Sequence, residues 1–225
     1  RAVGGAVCKT VAIGNGALYN FEGNNTVAVG TCAGASATTG GEGTYIGHFA
    51  GYANTTGASN TVVGRSAMYN NTIGAKNVAI GAHTLTTNIT GGCNTAVGYC
   101  ALVANNACSN TAVGTYALCK NTTGIINDAF GSYALYCNTT GTENVAIGKN
   151  ALCKNTTAQR NIGMGYAALR DNTTGSYNTA IGRTAAMQNI TGCFNTVVGT
   201  YSSCINKTSC GNTALGYATL MSNIS

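Results

Sequence analysis

Residues 161–177 read N-I-G-M-G-Y-A-A-L-R-D-N-T-T-G-S-Y, and residues 178–194 continue in register as N-T-A-I-G-R-T-A-A-M-Q-N-I-T-G-C-F. In both stretches a glycine follows a large apolar residue. We call this residue the marker glycine, and it recurs at a spacing of 17 residues in ten intervals and 16 in two. The thirteen marker glycines are Gly14, Gly30, Gly47, Gly64, Gly81, Gly98, Gly114, Gly131, Gly148, Gly165, Gly182, Gly199 and Gly216. Because they cover the whole chain, we predict one continuous repeat array over residues 1–225, without a domain boundary.

The three residues before each marker glycine alternate as a β-strand does. The residue directly before the glycine is large and apolar in all units, and the residue two positions earlier is Val or Thr except at Asp128 and Ile162. A small residue, usually Ala, lies between them. Period-two alternation of β-branched residues is typical of a strand. We expect the Val, Ile and Thr residues to face inward and the alanines, such as Ala146, to form a flat outer surface that another chain can pack against.

A second short segment follows each marker glycine and carries the pair A-L, as in Ala117-Leu118. The turn sequence N-T-T-G comes next, and the segment between is too short for a helix. We therefore predict two short strands and two turns in each unit. A unit of this size cannot offset a backbone entropy cost of roughly 1–2 kcal/mol per residue alone, so the units must stack. The predicted fold is all-β: a parallel β-solenoid or β-roll with 17-residue coils, about 13 of them, that forms trimers or filaments.

One asparagine column, four residues before the marker glycine, is predicted to stack its side-chain amides as a ladder. Its members are Asn60, Asn77, Asn94, Asn110, Asn127, Asn144, Asn161, Asn178, Asn195 and Asn212.

Composition excludes several classes of protein. Charged residues make up 7% of the chain and proline is absent, which is unlike a disordered chain. No apolar run of about 18 residues could span a membrane as a helix. The eleven Lys and Arg residues are scattered singly, which argues against nucleic acid as a partner. Two histidines, His48 and His83, and five dispersed acids form no catalytic, metal or phosphate motif, so we predict that the protein is not an enzyme and has no cofactor.

Sequons of the form N-x-S/T recur just before the second turn of the unit, and an eleventh lies elsewhere at Asn24. This regular placement predicts N-glycosylation along one edge of the rod, whereas the alternative is an asparagine turn followed by a threonine ladder. The candidate sites are Asn54, Asn70, Asn88, Asn121, Asn138, Asn155, Asn172, Asn189, Asn206 and Asn223.

Eleven cysteines in a chain of this size indicate an oxidising compartment. Cys193 and Cys210 are one repeat apart, so stacking would bring them within disulfide distance. Cys93 and Cys108 lie in adjacent coils one column apart, and Cys137 lies between Cys119 and Cys153 in the same way. We predict a Cys193–Cys210 disulfide and treat the other five as further candidates, the alternative being that cysteine serves as a small apolar residue.

Residues 25–40, N-T-V-A-V-G-T-C-A-G-A-S-A-T-T-G, resemble the head repeats of trimeric autotransporter adhesins, which read roughly N-S-V-A-I-G followed by small residues. Residues 76–81 and 143–148 share that core. Residues 110–118, N-T-A-V-G-T-Y-A-L, are similar to arrays in phage and virus tail fibres and in microbial surface proteins. The resemblance implies a left-handed parallel β-roll, often trimeric, in an adhesive or stalk-like fibre, and it implies no binding residue.

The function predicted from these features is that of an extracellular structural or adhesive fibre at a cell or virion surface, glycosylated along one edge. An alternative is an adhesin or tail-fibre shaft that presents a receptor-binding tip. A third hypothesis is an ice-binding solenoid, which would favour an outward threonine column. The expected partners are other copies of the chain and surface glycans or host receptors.

Overall fold

Residues 9–203 and 206–220 are described by the structure, a computed structural model. Thirteen parallel strands form a β-solenoid, and the described residues contain no helix, which confirms the predicted fold class. No helix that could cross a membrane is found among these residues. Each strand has three residues and ends directly before a marker glycine. The chain packs as two compact units, Arg1–Asn110 and Thr111–Ser225.

The first unit contains strands β1 to β6, and each is paired in parallel with the next. Their bounds are Val11–Ile13, Val27–Val29, Thr44–Ile46, Thr61–Val63, Val78–Ile80 and Thr95–Val97. The register joins equivalent residues of successive repeats, so Val63 pairs with Ile80, which pairs with Val97. Like side chains therefore lie one above the next, as the repeat period predicts.

The second unit contains strands β7 to β13 with the same parallel pairing. Their bounds are Thr111–Val113, Asp128–Phe130, Val145–Ile147, Ile162–Met164, Thr179–Ile181, Thr196–Val198 and Thr213–Leu215. Its register again joins equivalent positions, such as Ala129 with Ala146.

The marker glycine is required for two separate reasons, which Gly148 illustrates. Its φ of +126° is one that residues with a side chain rarely adopt. A Cβ at this position would also lie 2.6 Å from the carbonyl oxygen of Gly165 in the next coil. Successive backbones can stack this closely only where the side chain is absent, which accounts for the strict repetition of glycine.

The prediction of two strands per coil was wrong, because the A-L segment forms turns. Tyr116 and Leu118 have φ values of +58° and +50°, and the equivalent residues of other coils are similar. Two left-handed residues so close together prevent an extended strand. Backbone hydrogen bonds between coils continue there, as from Leu118 N–H to the Ala134 carbonyl at 3.0 Å. The segment is therefore stacked without being a strand.

The alternation of the strands was predicted correctly, but the inward and outward sides were exchanged. The middle residue of each strand faces the interior, so Ala146 is fully buried while its neighbour Ile147 is 37% exposed. We call the middle residues the strand-centre file. Those that are buried are Ala28, Tyr45, Val62, Ala79, Ala96, Ala112, Ala129, Ala146, Gly163, Ala180, Val197 and Ala214. The expected outer surface of alanine does not exist.

The strand-centre file packs against the leucines of the A-L segment, which we call the leucine file. Its fully buried members are Leu18, Met68, Leu85, Leu102, Leu118, Leu135, Leu152 and Leu169. Where Tyr45 replaces alanine in the strand-centre file, Gly34 and Gly51 replace leucine. A Cβ on Gly51 would lie 2.3 Å from the Tyr45 ring, and one on Gly34 would lie 3.2 Å from it. The interior is thus thin, and a large residue on one side requires small residues on the other.

The asparagine column before the strands forms the predicted ladder, which we call the strand ladder. Asn161 donates its backbone N–H and its Nδ2 to Oδ1 of Asn144, at 3.0 and 3.3 Å. Its Nδ2 also bonds the Gly175 carbonyl at 2.9 Å. The same bonds join Asn77 to Asn60 in the first unit. These buried amides satisfy one another from coil to coil.

Candidate assembly face

The first and third residues of each strand point away from the interior and form what we call the outer strand face. In the second unit Phe130, Ile147 and Ile181 are 40%, 37% and 40% exposed. The third-position file there is Val113, Phe130, Ile147, Met164, Ile181, Val198 and Leu215, and the first-position file is Thr111, Asp128, Val145, Ile162, Thr179, Thr196 and Thr213. All are half-exposed or exposed. Nine of these fourteen residues are apolar, so the face is mainly apolar.

The first unit presents an equivalent face. Its third-position file is Ile13, Val29, Ile46, Val63, Ile80 and Val97, and its first-position file is Val11, Val27, Thr44, Thr61, Val78 and Thr95. None of these residues is charged, and all are half-exposed or exposed. The threonines here, like those of the second unit, were expected to point inward. They point outward because the strand-centre residues already fill the narrow interior.

The residues directly after the marker glycines border the outer strand face, and we call them the border file. In the second unit they are Thr115, Ser132, Lys149, Tyr166, Arg183, Thr200 and Tyr217. The guanidinium of Arg183 lies 5.8 Å from the Tyr166 ring and 5.2 Å from the Tyr201 ring. In the first unit Arg65 contacts His83, with 2.6 Å between Nη2 and Nε2. An apolar centre bordered by Tyr and Arg has the composition of a protein interface.

Eight of the ten sequon asparagines in the predicted column lie in the interior. Buried side chains are found at Asn54, Asn88, Asn121, Asn138, Asn155, Asn172, Asn189 and Asn206. They belong to a second ladder, the turn ladder, in which Asn155 donates Nδ2 to Oδ1 of Asn138 at 2.8 Å and to the Ala158 carbonyl at 3.2 Å. At Asn155 the nitrogen that would carry a sugar is therefore buried and donates two hydrogen bonds, which fits the alternative of an asparagine turn, and glycosylation at these eight sites stays a prediction.

Three sequons fall outside the turn ladder. Asn70 is exposed, because its neighbour Asn71 occupies the ladder position and donates Nδ2 to Asn54 at 2.6 Å. Asn24, in the other part of the unit, is also exposed. Asn223 lies outside the described residues. Among the described residues of the predicted column, Asn70 is thus the only exposed sequon asparagine.

The predicted disulfide is not formed, and the described part of the chain contains no disulfide. Cys193 and Cys210 are free thiols on adjacent coils, stacked as their spacing predicts, with Cys193 N–H donating to Sγ of Cys210 at 3.0 Å. Cys93 and Cys108 are free and exposed.

The remaining cysteine candidates lie together, as the repeat predicts. Cys137 N–H donates to the Cys153 carbonyl at 2.9 Å, and both residues are free thiols. Cys119 is half-buried at the position equivalent to Cys153 in an earlier coil. Burial raises the pKa of the Cys153 thiol, which therefore stays protonated at neutral pH.

The two histidines have separate surroundings. The His48 ring lies 3.9 Å from the Phe49 ring, whereas His83 contacts Arg65. Within residues 9–203 and 206–220, no group of three or more His, Cys, Asp or Glu side chains could hold a metal ion. The prediction that the chain is not an enzyme remains a prediction.

Comparisons with known proteins find no matching family model, no similar curated protein and no similar solved structure. The outer strand face is the feature that sequence reasoning assigned to the wrong side of the chain. The exchange of leucine for Gly34 and Gly51 beside Tyr45 is the sequence signal that identifies the inward side.

Proposed function

We propose that this protein is a structural component of an extracellular fibre and that its copies associate through the outer strand face. The observation that supports this is the continuous exposed file of Val and Ile side chains in a chain with few charges. The largest apolar patch on a soluble protein covers roughly 300–600 Å² and is often functional. A second copy of the same chain offers a surface of the same flatness and the same repeat distance.

The area of the outer strand face indicates which residues an interface between copies must bury. Seven strands at about 4.8 Å and three residues at about 3.3 Å give the second unit an outer strand face of about 330 Å² in projection. A stable interface buries about 800 Å² on each partner. The strands alone therefore provide too little area, and the border file with its Tyr and Arg residues must be buried as well.

A direct test compares two isoleucines of equal exposure on different surfaces. Ile147 lies on the outer strand face and is 37% exposed, whereas Ile190 lies in the turn after the leucine file and is 36% exposed. We expect the wild-type protein to be oligomeric by analytical ultracentrifugation and fibrous in electron micrographs. Ile147→Lys should give monomers, because a desolvated lysine would have no partner. Ile190→Lys should leave assembly intact.

Two results would contradict the proposal. One is a wild-type protein that stays monomeric at every concentration tested. The other is an equal loss of assembly in Ile147→Lys and Ile190→Lys, which would mean that general charge rather than this face controls association. Circular dichroism of both variants verifies that each remains folded.

Ice binding is the second candidate, and the outward direction of the strand threonines favours it. Thr179, Thr196 and Thr213 occupy the first position of three successive strands and are half-exposed or exposed. Val145 and Ile162 interrupt this file in the preceding coils, so the fibre proposal takes precedence. If the monomeric Ile147→Lys protein inhibits ice recrystallisation and Thr196→Lys abolishes that inhibition, ice binding becomes the better assignment.

A further inference from the structure

Asp128 is a single carboxylate on the apolar outer strand face of the second unit. It occupies the first position of β8, where the other strands of this unit have Thr, Val or Ile. It is half-buried, beside Phe130 on the same face. Among the described residues its carboxylate has neither a hydrogen bond nor an ion pair, although its backbone N–H donates to the Asn144 carbonyl at 2.9 Å. Aspartate is unfavourable within a strand, so local structure does not account for it.

Lys149 is the complementary charge on the border file. It is exposed and forms no ion pair within the described residues. Arg183, the other cation of this file, already lies between two tyrosine rings. Within one chain Lys149 is separated from Asp128 by one coil and by about 13 Å across the face, at about 3.3 Å per residue. The two charges therefore belong to opposite margins of the same face.

Symmetry determines whether these margins meet in an assembly. When two copies are related by a twofold axis that is parallel to the solenoid axis and lies in front of the third-position file, strand direction is reversed across the contact. The first-position file of one copy then faces the border file of its neighbour at the same level. Asp128 would face Ser132 of the neighbouring copy, with Lys149 one coil further on. That coil is about 4.8 Å away along the axis, within the reach of a lysine side chain.

An antiparallel arrangement places the charges differently. There a twofold axis along the strands makes the first-position file face itself, so that Asp128 is buried against Thr and Val side chains. A carboxylate that is desolvated without a cation is strongly unfavourable. The arrangement of charge on this face therefore favours parallel copies.

We infer that Asp128 forms an intermolecular ion pair with Lys149 of the neighbouring copy, and that this pair fixes the parallel orientation and the register of the assembly. The inference rests on the proposed association through the outer strand face. Beyond that proposal, the inference specifies one contact between copies, the parallel orientation of the copies, and an offset of one coil between Asp128 and Lys149.

Charge exchange provides the test. Asp128→Lys and Lys149→Asp should each weaken association about thirtyfold or more, because each places like charges opposite one another. The double variant Asp128→Lys/Lys149→Asp should recover association to within about threefold of the wild type, because the pair is restored with its sign reversed. Glu22→Lys and Lys207→Asp are controls with the same charge changes on other exposed surfaces, and they should have little effect.

A second measurement reports on orientation and does not depend on these variants folding. Carbodiimide treatment of the wild-type assembly should form an amide between Asp128 and Lys149, which mass spectrometry would find in peptides joined between chains. Mixing ¹⁵N-labelled with unlabelled protein identifies the cross-link as intermolecular. An amide joining Asp128 to a different lysine would overturn the proposed register.

The outcomes separate this inference from the proposed function. If the wild type assembles and Ile147→Lys dissociates it while Asp128→Lys has no effect, the face is correct and the ion pair is wrong. A double variant that associates no better than the weaker single variant also overturns the pair. A monomeric wild type overturns both statements.

Discussion

The inner and outer sides of the same three-residue strands hold residues of different size, and the smaller ones are inside. Ala146 is fully buried, whereas Ile147, the next residue, is 37% exposed. Hydrophobicity alone would assign the isoleucine to the core. The space between the strand and the leucine file admits only a small side chain beside each leucine, so size determines which side faces inward. The larger apolar residues remain outside, where they can contact another copy.

The largest expected effect comes from a charge placed on the inner side. Ala146→Asp should lower the free energy of unfolding by about 4 kcal/mol or more, because the carboxylate has no room for water or a cation. The matched outer change, Ile147→Asp, should alter it by less than about 1 kcal/mol. Urea denaturation at a concentration where the protein is monomeric measures both. Equal destabilisation by the two variants would contradict the assignment of sides.

A pH-dependent effect is expected at Tyr45, the largest buried side chain of the strand-centre file. Asn54 donates Nδ2 to its hydroxyl at 2.8 Å, and burial raises the pKa of Tyr45 to about 12. The phenol therefore stays neutral in the folded state at pH values where it ionises in the unfolded state. The stability that the neutral Tyr45 phenol adds to the folded state is fully present below about pH 10. It is lost as pH rises to about 12, which lowers the free energy of unfolding by roughly 2–3 kcal/mol.

Tyr45→Phe isolates this contribution from the other groups that titrate in the same range. The difference in unfolding free energy between wild type and variant should change by that amount between pH 9 and pH 12. Thermal unfolding followed by circular dichroism gives the difference. Parallel curves across this range would show that the phenol is not buried.

The smallest of these effects comes from comparing a buried asparagine with an exposed one. Asn155→Ala removes bonds to Asn138 and Ala158 and leaves the amide of Asn172 without its acceptor, so a loss of about 2 kcal/mol is expected. Asn70→Ala, on the exposed neighbour of the ladder, should change stability by less than about 0.5 kcal/mol. Hydrogen exchange would also show local opening around residue 155 and none around residue 70.

Much of the fold could be predicted from the repeat period. The spacing of the marker glycines gave the solenoid, the parallel stacking and the position of each strand, and a constant asparagine column gave the strand ladder. These features depend only on which residues lie above one another. A strict period specifies that relation without reference to the interior.

The direction of each side chain could not be read from the period alone. Alternation defines two faces without stating which one is inside. The turn ladder was missed because N-x-T is both a sequon and an inward-facing turn. Counting 17 residues from Asn54 leads to Asn71 and then to Asn88, and Asn71 is not the first residue of a sequon, because Ile73 stands where Ser or Thr is needed. Where asparagine recurs in a column even in coils in which it does not begin a sequon, the column indicates an inward-facing structural role. This signal was present in the sequence.

The hydrogen bonds between coils run along the solenoid axis, as from Thr179 N–H to the Asn195 carbonyl at 2.8 Å. Tension applied along that axis therefore loads one layer of bonds at a time, and coils detach in succession. Each 17-residue coil that opens would release about 58 Å of extended chain, at about 3.4 Å per residue. A shaft built from such coils lengthens stepwise under load and dissipates mechanical work, where a single cooperative domain would fail at once.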